Sequence, residues 1–286
     1  MQINNSNKTN EQLISHLLNA QESVNNKKTL TISIVGAGGK THLSYWLAQF
    51  FKQLGHYVCL TTTTKMYYPD QPFIDHLVEL EPIENRAIDR PMTNTGSITF
   101  LYKSKLPSQT NNEPPKVKGL SEPALNSIID SFAFDVMIVE ADGAKNQPIK
   151  APAGYEPCIV KTSQIVIGVT GAEAIFSKAN SENIHRWAEF SALTGCLPEM
   201  EIDHTILKRL LNDPQGMFKN APDQALKIWV INKYDLSNNQ MALLELANTL
   251  LTELPLLNSV LLTQFNTQTA IKNVLINNFL INKKHD

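Results

Sequence analysis

The sequence predicts an α/β protein built on a mostly parallel sheet flanked by helices, and three stretches carry that prediction. Thr29–Leu43 (TLTISIVGAGGKTHL) reads as a β-branched strand, a glycine turn and the start of a helix running through Leu54. Phe134–Gly143 (FDVMIVEADG) is an apolar strand closed by two acids, and Lys227–Asp235 (KIWVINKYD) is another that runs into Asn-Lys-x-Asp. Uninterrupted apolar runs such as Val136–Val139 suit strands buried on both faces of a parallel sheet. The helix after the first strand ends at Gly55, a C-cap residue, and His56–Lys65 (HYVCLTTTTK) follows as a second strand. Strand, helix, strand with short connections is a βαβ unit.

Bulk properties narrow the function classes. The 286 residues are 42% hydrophobic and 18% charged, the profile of an ordinary globular chain with length enough for a large core. A net charge of -2 argues against nucleic-acid binding through bulk electrostatics. No apolar run approaches the roughly 20 residues of a membrane span, and the polar start MQINNSNKTNEQ lacks a signal-peptide core. Cys59, Cys158 and Cys196 are odd in number and widely spaced, which fits neither a disulfide framework nor a C-x-x-C metal pair. A cytoplasmic protein with no membrane partner is expected.

Residues 1–28 read as a tail with one short helix, in which Leu13, Ile14, Leu17 and Leu18 follow helical spacing; residues 29–286 read as the α/β domain. The stretch 66–125 is broken by prolines at 69, 72, 82, 91, 107, 114 and 115, and reads as an insertion or flap. Within it Ser97–Tyr102 is a predicted strand and Ser108–Pro115 an exposed loop. Asn146–Pro157 is again proline-punctuated; Lys145 and Lys150 flank the acids there, although solvated lysines are the commoner case. Gln164–Thr170 is a strand, followed by a turn at Gly171. A helix is predicted over Glu182–Thr194, carrying His185 and Arg186 and ended by Gly195, and another over Asp203–Leu211 before a loop at Asp213–Lys219. After Asp235 come a helix over residues 238–251, which Asp235 is placed to cap, a last strand at Ser259–Thr263 and a terminal helix over Ala270–Ile281.

The chemistry sits at the carboxyl ends of the strands, where open α/β sheets bind ligands. Gly36, Ala37, Gly38 and Gly39 form a loop whose backbone N–H groups can turn toward an anion, and Lys40 adds a charge at a helix N-terminus. The Thr41 hydroxyl suits Mg²⁺. The usual G-x-x-x-x-G-K-[ST] pattern would need glycine at Ile34, so this loop is two residues short. Glu140 and Asp142, two apart at a strand end, face the same way, with Asp142 suited to the metal and Glu140 to positioning water. Asn232, Lys233 and Asp235 form the N-K-x-D pattern, in which Asp accepts hydrogen bonds from guanine N1–H and N2–H₂, Asn fixes loop and base edge, and the Lys stem covers the base. Loop, acid-bearing strand and N-K-x-D occur in the order of a P-loop NTPase-like domain, which gives GTP (or ATP) with Mg²⁺ as the expected ligands.

These residues also carry a resemblance. VGAGGKT (Val35–Thr41), TTTTKM (Thr61–Met66), VEADGAK (Val139–Lys145), KAPAGYEP (Lys150–Pro157), Ile184–Arg186 and NKYD (Asn232–Asp235) are similar, nearly end to end, to the selenium-dependent hydroxylase accessory protein family. The short glycine loop matches that family's own form; His42 stands where a second Thr is common, while Thr41 is kept. The resemblance implies a role in maturing selenium-dependent molybdenum hydroxylases, with such an enzyme or its cofactor-maturation proteins as partner. The expected activity is nucleotide binding with slow or partner-activated hydrolysis, Arg186 being a guess at an arginine finger. Two other readings fit the same residues: an ATP-using kinase or nucleotidyltransferase acting on a small molecule or pterin-type cofactor, and a non-catalytic nucleotide-gated chaperone.

Overall fold

The computed structural model describes residues 29–69, 71–81, 96–107, 114–131, 133–265, 267 and 270–277, so the predicted N-terminal helix and most of the 108–115 loop lie outside the described residues. The fold is mixed α/β, with a mostly parallel central sheet flanked by helices.

The strands of that sheet are β1 (Leu30–Gly36), β2 (Tyr57–Thr62), β4 (His76–Glu79), β5 (Ser97–Tyr102), β8 (Val136–Glu140), β10 (Ile165–Gly171), β12 (Leu226–Asn232), β13 (Ser259–Thr263) and β14 (Ile271–Ile276). They lie in the order β14-β13-β12-β10-β1-β8-β2-β5-β4, and every neighbouring pair is parallel except β13 with β14. β1 therefore sits at the centre. The chain leaves it toward β2 on one side and later crosses to β10 on the other, so the topological switch point, where open sheets of this kind bind ligands, lies at its carboxyl end.

Alternation along the strands explains the layers. Ile32 and Ile34 of β1, Val58 and Leu60 of β2, Ile138 of β8, Ile167 of β10 and Val230 of β12 share one face with α1 (Lys40–Gln53). The other face holds two separate cores. Cys59, Met137 and Val139 pack with Leu125 and Ile128 of α2 (Glu122–Asp130), while Val166, Trp229, Ile231 and Val260 pack with α3 (Trp187–Thr194), α4 (His204–Asn212) and α5 (Gln240–Glu253). Polar residues of β1 divide them: Ser33 Oγ bonds Ser163 Oγ at 2.8 Å, and Thr31 is fully buried beside it.

The proline-rich stretch contributes to two sheets. β4 and β5 extend the main sheet, and β3 (Lys65–Tyr67), β7 (Lys116–Lys118) and β6 (Ser104–Leu106) form a small antiparallel one. Gly119 pins the latter to the end of β2: a Cβ there would lie 2.4 Å from the Thr62 carbonyl oxygen.

Three sequence expectations are corrected. The terminal helix begins instead as β14, an edge strand antiparallel to β13, so Ser259–Thr263 is not the last strand. Ile271, Val274 and Leu275 have helical spacing, but a short edge strand beside an apolar neighbour satisfies its backbone equally well. The helix expected from Glu182 starts only at Trp187, because Ile184–His185 (β11) pairs with Ile149–Lys150 (β9) and Arg186 turns left-handed at φ 63°. Finally, α5 is capped by Asn239, whose side chain accepts from Ala242 N at 3.0 Å, and not by Asp235.

Candidate functional site

The register of the central strands sets Gly36, Glu140, Gly171 and Asn232 along one carboxyl edge, through Ile34↔Glu140, Gly36↔Val169 and Gly171↔Asn232. Between β1 and α1 only Ala37, Gly38 and Gly39 remain. Gly38 (φ 80°) and Gly39 (φ 120°) take backbone conformations closed to most side chains. A Cβ on Gly38 would lie 2.2 Å from Gly171 N, and one on Gly39 would lie 2.2 Å from Asn232 Nδ2.

The short loop spends its own donors on the protein. Gly36 N donates to Asp142 Oδ2 at 3.1 Å, Ala37 N to Val169 O at 2.9 Å and Gly38 N to Gln147 O at 3.1 Å. The first helical bond runs from Leu43 N to Gly39 O, which leaves the N–H groups of Gly39, Lys40, Thr41 and His42 as the four amides a helix start does not satisfy. No acid stands in the first turn and no side chain caps it. Free amides at a helix N-terminus, with the helix dipole, are an arrangement that can take an anion the size of one phosphate group.

Lys40 is 4% exposed and is the first residue of the same helix. Its Nζ donates to Gly36 O at 2.6 Å and lies 3.1 Å from Asp142 Oδ1 and 4.0 Å from Glu140 Oε1. The Asp142 contact is an ion pair without hydrogen-bond alignment, since buried Oδ1 has no hydrogen-bond partner. Thr41 Oγ1 donates to Glu140 Oε2 at 2.9 Å. The sequence paired Thr41 with Asp142; the structure pairs it with Glu140 and puts Asp142 on the loop backbone. Burial pushes the Glu140 carboxyl above its ordinary range, against the pull of Lys40 and Thr41. Burial, helped by the Glu140 charge, also takes the Tyr45 phenol up to about 12.

Thr41 Oγ1, the Glu140 carboxylate and the unbonded Asp142 Oδ1 are hard oxygen donors of the kind Mg²⁺ takes. No group of three or more His, Cys, Asp or Glu among the described residues forms a metal cage. Mg²⁺ does not need one, because it commonly uses one or two carboxylates with phosphate oxygens and water.

On the other side of the loop, Asn232 is 3% exposed and bridges two elements. Its Nδ2 donates to Gly38 O at 2.9 Å, and its Oδ1 accepts from Thr263 Oγ1 at 3.1 Å. Lys233 is left-handed at φ 58° and its Nζ pairs with Glu173 Oε1. Asp235 is exposed on the one-turn 3₁₀ helix Tyr234–Leu236. The Asn of the pattern is thus joined to the glycine loop, and the Asp faces solvent.

Sequence reasoning missed the charges behind Asp142. Lys150 is 2% exposed, not a solvated lysine, and its Nζ meets Asp142 Oδ2 at 3.0 Å, Glu156 Oε2 at 2.8 Å and Gly143 O at 2.8 Å. Arg186 Nε reaches Glu156 Oε2 at 3.0 Å, and its Nη2 reaches Glu156 Oε1 at 3.1 Å and the Tyr155 hydroxyl at 2.6 Å. Arg186 is thus paired with Glu156 in this structure. Burial pushes Glu156 up, but the hydrogen bonds from Arg186 and Lys150 outweigh it and hold the carboxyl below its usual value. Burial, then the charges of Lys150 and Arg186, lowers His185 to about 4, and its Nδ1 lies 3.1 Å from Gln147 Oε1. The signal available in sequence was proximity: Lys150 and Glu156 share the KAPAGYEP segment, and Arg186 follows the two-residue strand that pairs with Ile149–Lys150.

Among the described residues no helix is long and apolar enough to cross a membrane. A family model described as YqeC protein matches residues 32–188. The chain is also similar to "Uncharacterized protein YqeC" of Escherichia coli (strain K12), 35% identical over 227 residues that make up 78% of this chain and 84% of that protein.

Proposed function

The chain belongs to the YqeC protein family, and we propose that it acts as a P-loop NTPase-like protein that binds a Mg²⁺-nucleotide, GTP ahead of ATP, with slow or partner-activated hydrolysis. One observation carries the reading: Lys40 opens a helix whose first four amides are unsatisfied, and its Nζ lies on two buried acids, with Thr41 hydrogen-bonded to one of them. An anion at the amides attracts Lys40 away from Asp142 and Glu140, and those acids then call for another cation. Thr41, Glu140 and Asp142 Oδ1 would hold Mg²⁺, which when bound neutralises phosphate oxygens. Gly36, Ala37, Gly38 and Gly39 shape the loop, and Glu140 is the acid close enough to Thr41 to orient a water beside the metal. Asn232 is spent on the loop, so guanine selection falls on Asp235, with the Lys233 stem beside it. The resemblance to selenium-dependent hydroxylase accessory proteins supplies the biological setting: maturation of a selenium-dependent molybdenum hydroxylase, with that enzyme or its cofactor-maturation proteins as client.

Calorimetric titration with GTP and ATP analogues, with and without Mg²⁺, tests this in the wild type and in Lys40→Ala. The variant should stay folded because Asp142 keeps Lys150. Binding that favours GTP, is strengthened by Mg²⁺ but measurable without it, and disappears in Lys40→Ala is expected. Unchanged binding in the variant overturns the phosphate site, while an ATP preference removes the guanine assignment and favours a kinase.

A further inference from the structure

The charges around the site form one alternating row: Lys40, Asp142, Lys150, Glu156, Arg186, joined at 3.1, 3.0, 2.8 and 3.0 Å. With Glu140 beside Lys40, three cations face three carboxylates, and the row is neutral. Lys150 is its most deeply buried cation, with a side chain 1% exposed, hydrogen bonds to Gly143 O and Glu156 Oε2, and an ion pair with Asp142 Oδ2. A buried ammonium persists only when its partners offset the loss of water, so Lys150 is fixed where it stands. Lys40 is the one cation of the row that belongs to α1, at its first position. To meet a phosphate there, it must give up Asp142.

We propose that Lys150 is a positioning residue for phosphate binding: it keeps Asp142 neutralised and seated on Gly36 N–H, so that Lys40 can change partners. The inference rests on the phosphate-site reading above. Asp142 Oδ2 already takes both Lys150 and the Gly36 amide, and only Oδ1 turns to Lys40. Without Lys150, Lys40 becomes the sole cation for a buried carboxylate and is held against the protein. Glu156 acts in the opposite sense, because it competes with Asp142 for Lys150.

The test uses the full-length chain and GDP in EDTA, which removes any role of Asp142 toward a metal, with affinity read by calorimetry and folding by thermal melts. Lys150→Met should weaken GDP by roughly tenfold, the scale of one charge-assisted contact. Asp142→Asn combined with Lys150→Met should restore affinity to within about threefold of wild type, since the competing charge is gone. A purely structural role predicts the reverse, a further loss in the double variant. If Lys150→Met does not fold, Glu156→Gln decides: it leaves Lys150 wholly to Asp142 and should tighten GDP binding. Equal affinity in Lys150→Met, a double variant weaker than the single, or weaker binding in Glu156→Gln overturns the proposal. A wild type that binds no nucleotide, with or without Mg²⁺, overturns the phosphate-site reading itself and this inference with it.

Discussion

Asn232→Ala removes a side chain that does two jobs in a space 3% exposed to solvent. Its Nδ2 holds Gly38 O at 2.9 Å and its Oδ1 holds Thr263 Oγ1 at 3.1 Å. Each hydrogen bond contributes about 1 kcal/mol net, and leaving a buried carbonyl and a buried hydroxyl without partners costs about 1–3 kcal/mol more. The sum is about 3–5 kcal/mol, and its lower end is used for the midpoint. With a urea slope of about 3 kcal/mol/M, at the upper end for small domains, the unfolding midpoint should fall by about 1 M. Asn232→Asp keeps the acceptor for Thr263 but sets a carboxylate against the Gly38 carbonyl, so it should be at least as damaging. Because the amide acts on the glycine loop, GTP and ATP affinities should drop together. A midpoint shift equivalent to less than about 0.5 kcal/mol, the range of ordinary surface changes, would refute the reasoning. Loss of GTP binding with ATP binding intact would show that the amide reads the base.

Two further outcomes follow from the structure. His185 is lowered to about 4 in the fold from an ordinary value of 6.5, so the unfolded chain takes up that proton first as the pH falls. Its neutral imidazole costs nothing above 6.5, and stability drains away between there and about 4; urea midpoints at pH 7.5 and 4.5 should therefore differ less in His185→Asn than in the wild type. Gly119→Ala would put a Cβ 2.4 Å from Thr62 O and 2.6 Å from the Thr63 carbonyl carbon, backbone that cannot swing aside. It should lower the thermal midpoint by an amount worth about 1–3 kcal/mol, and a neutral result would contradict the packing of the small sheet on β2.

What was legible in the sequence was what local pattern encodes. The apolar runs of β1, β8, β10 and β12 are buried on both faces, so hydrophobicity alone marks them, and the glycines and Asn-Lys-x-Asp announce the strand ends. Glu140 and Asp142 were visible because two acids closing such a strand need cations. Which acid meets Thr41 was not visible: that depends on how far β8 reaches past β1, a register fixed by pairing between segments about a hundred residues apart. Lys150 misled for the same reason. A lysine among prolines looks solvated until β9 and β11 pair and close Glu156 and Arg186 over it. β14 failed differently, because Ile271, Val274 and Leu275 suit either period and only the neighbouring strand decides.

The Asn232–Gly38 bond spans 194 positions of chain and leans on Thr263 farther on. During synthesis the glycine loop is among the first described elements to emerge, yet the clamp that completes it is among the last. Until residue 232 is out, Gly38 O has no Asn232 to hold it, and until residue 263 is out that side chain lacks Thr263 and its strand has no complete β13 beside it. A nascent or C-terminally clipped chain therefore carries the glycine loop without the amide clamp that holds it. On the proposed reading, phosphate binding would double as a checkpoint on completion, because only a chain made nearly to its end holds the glycine loop in this form.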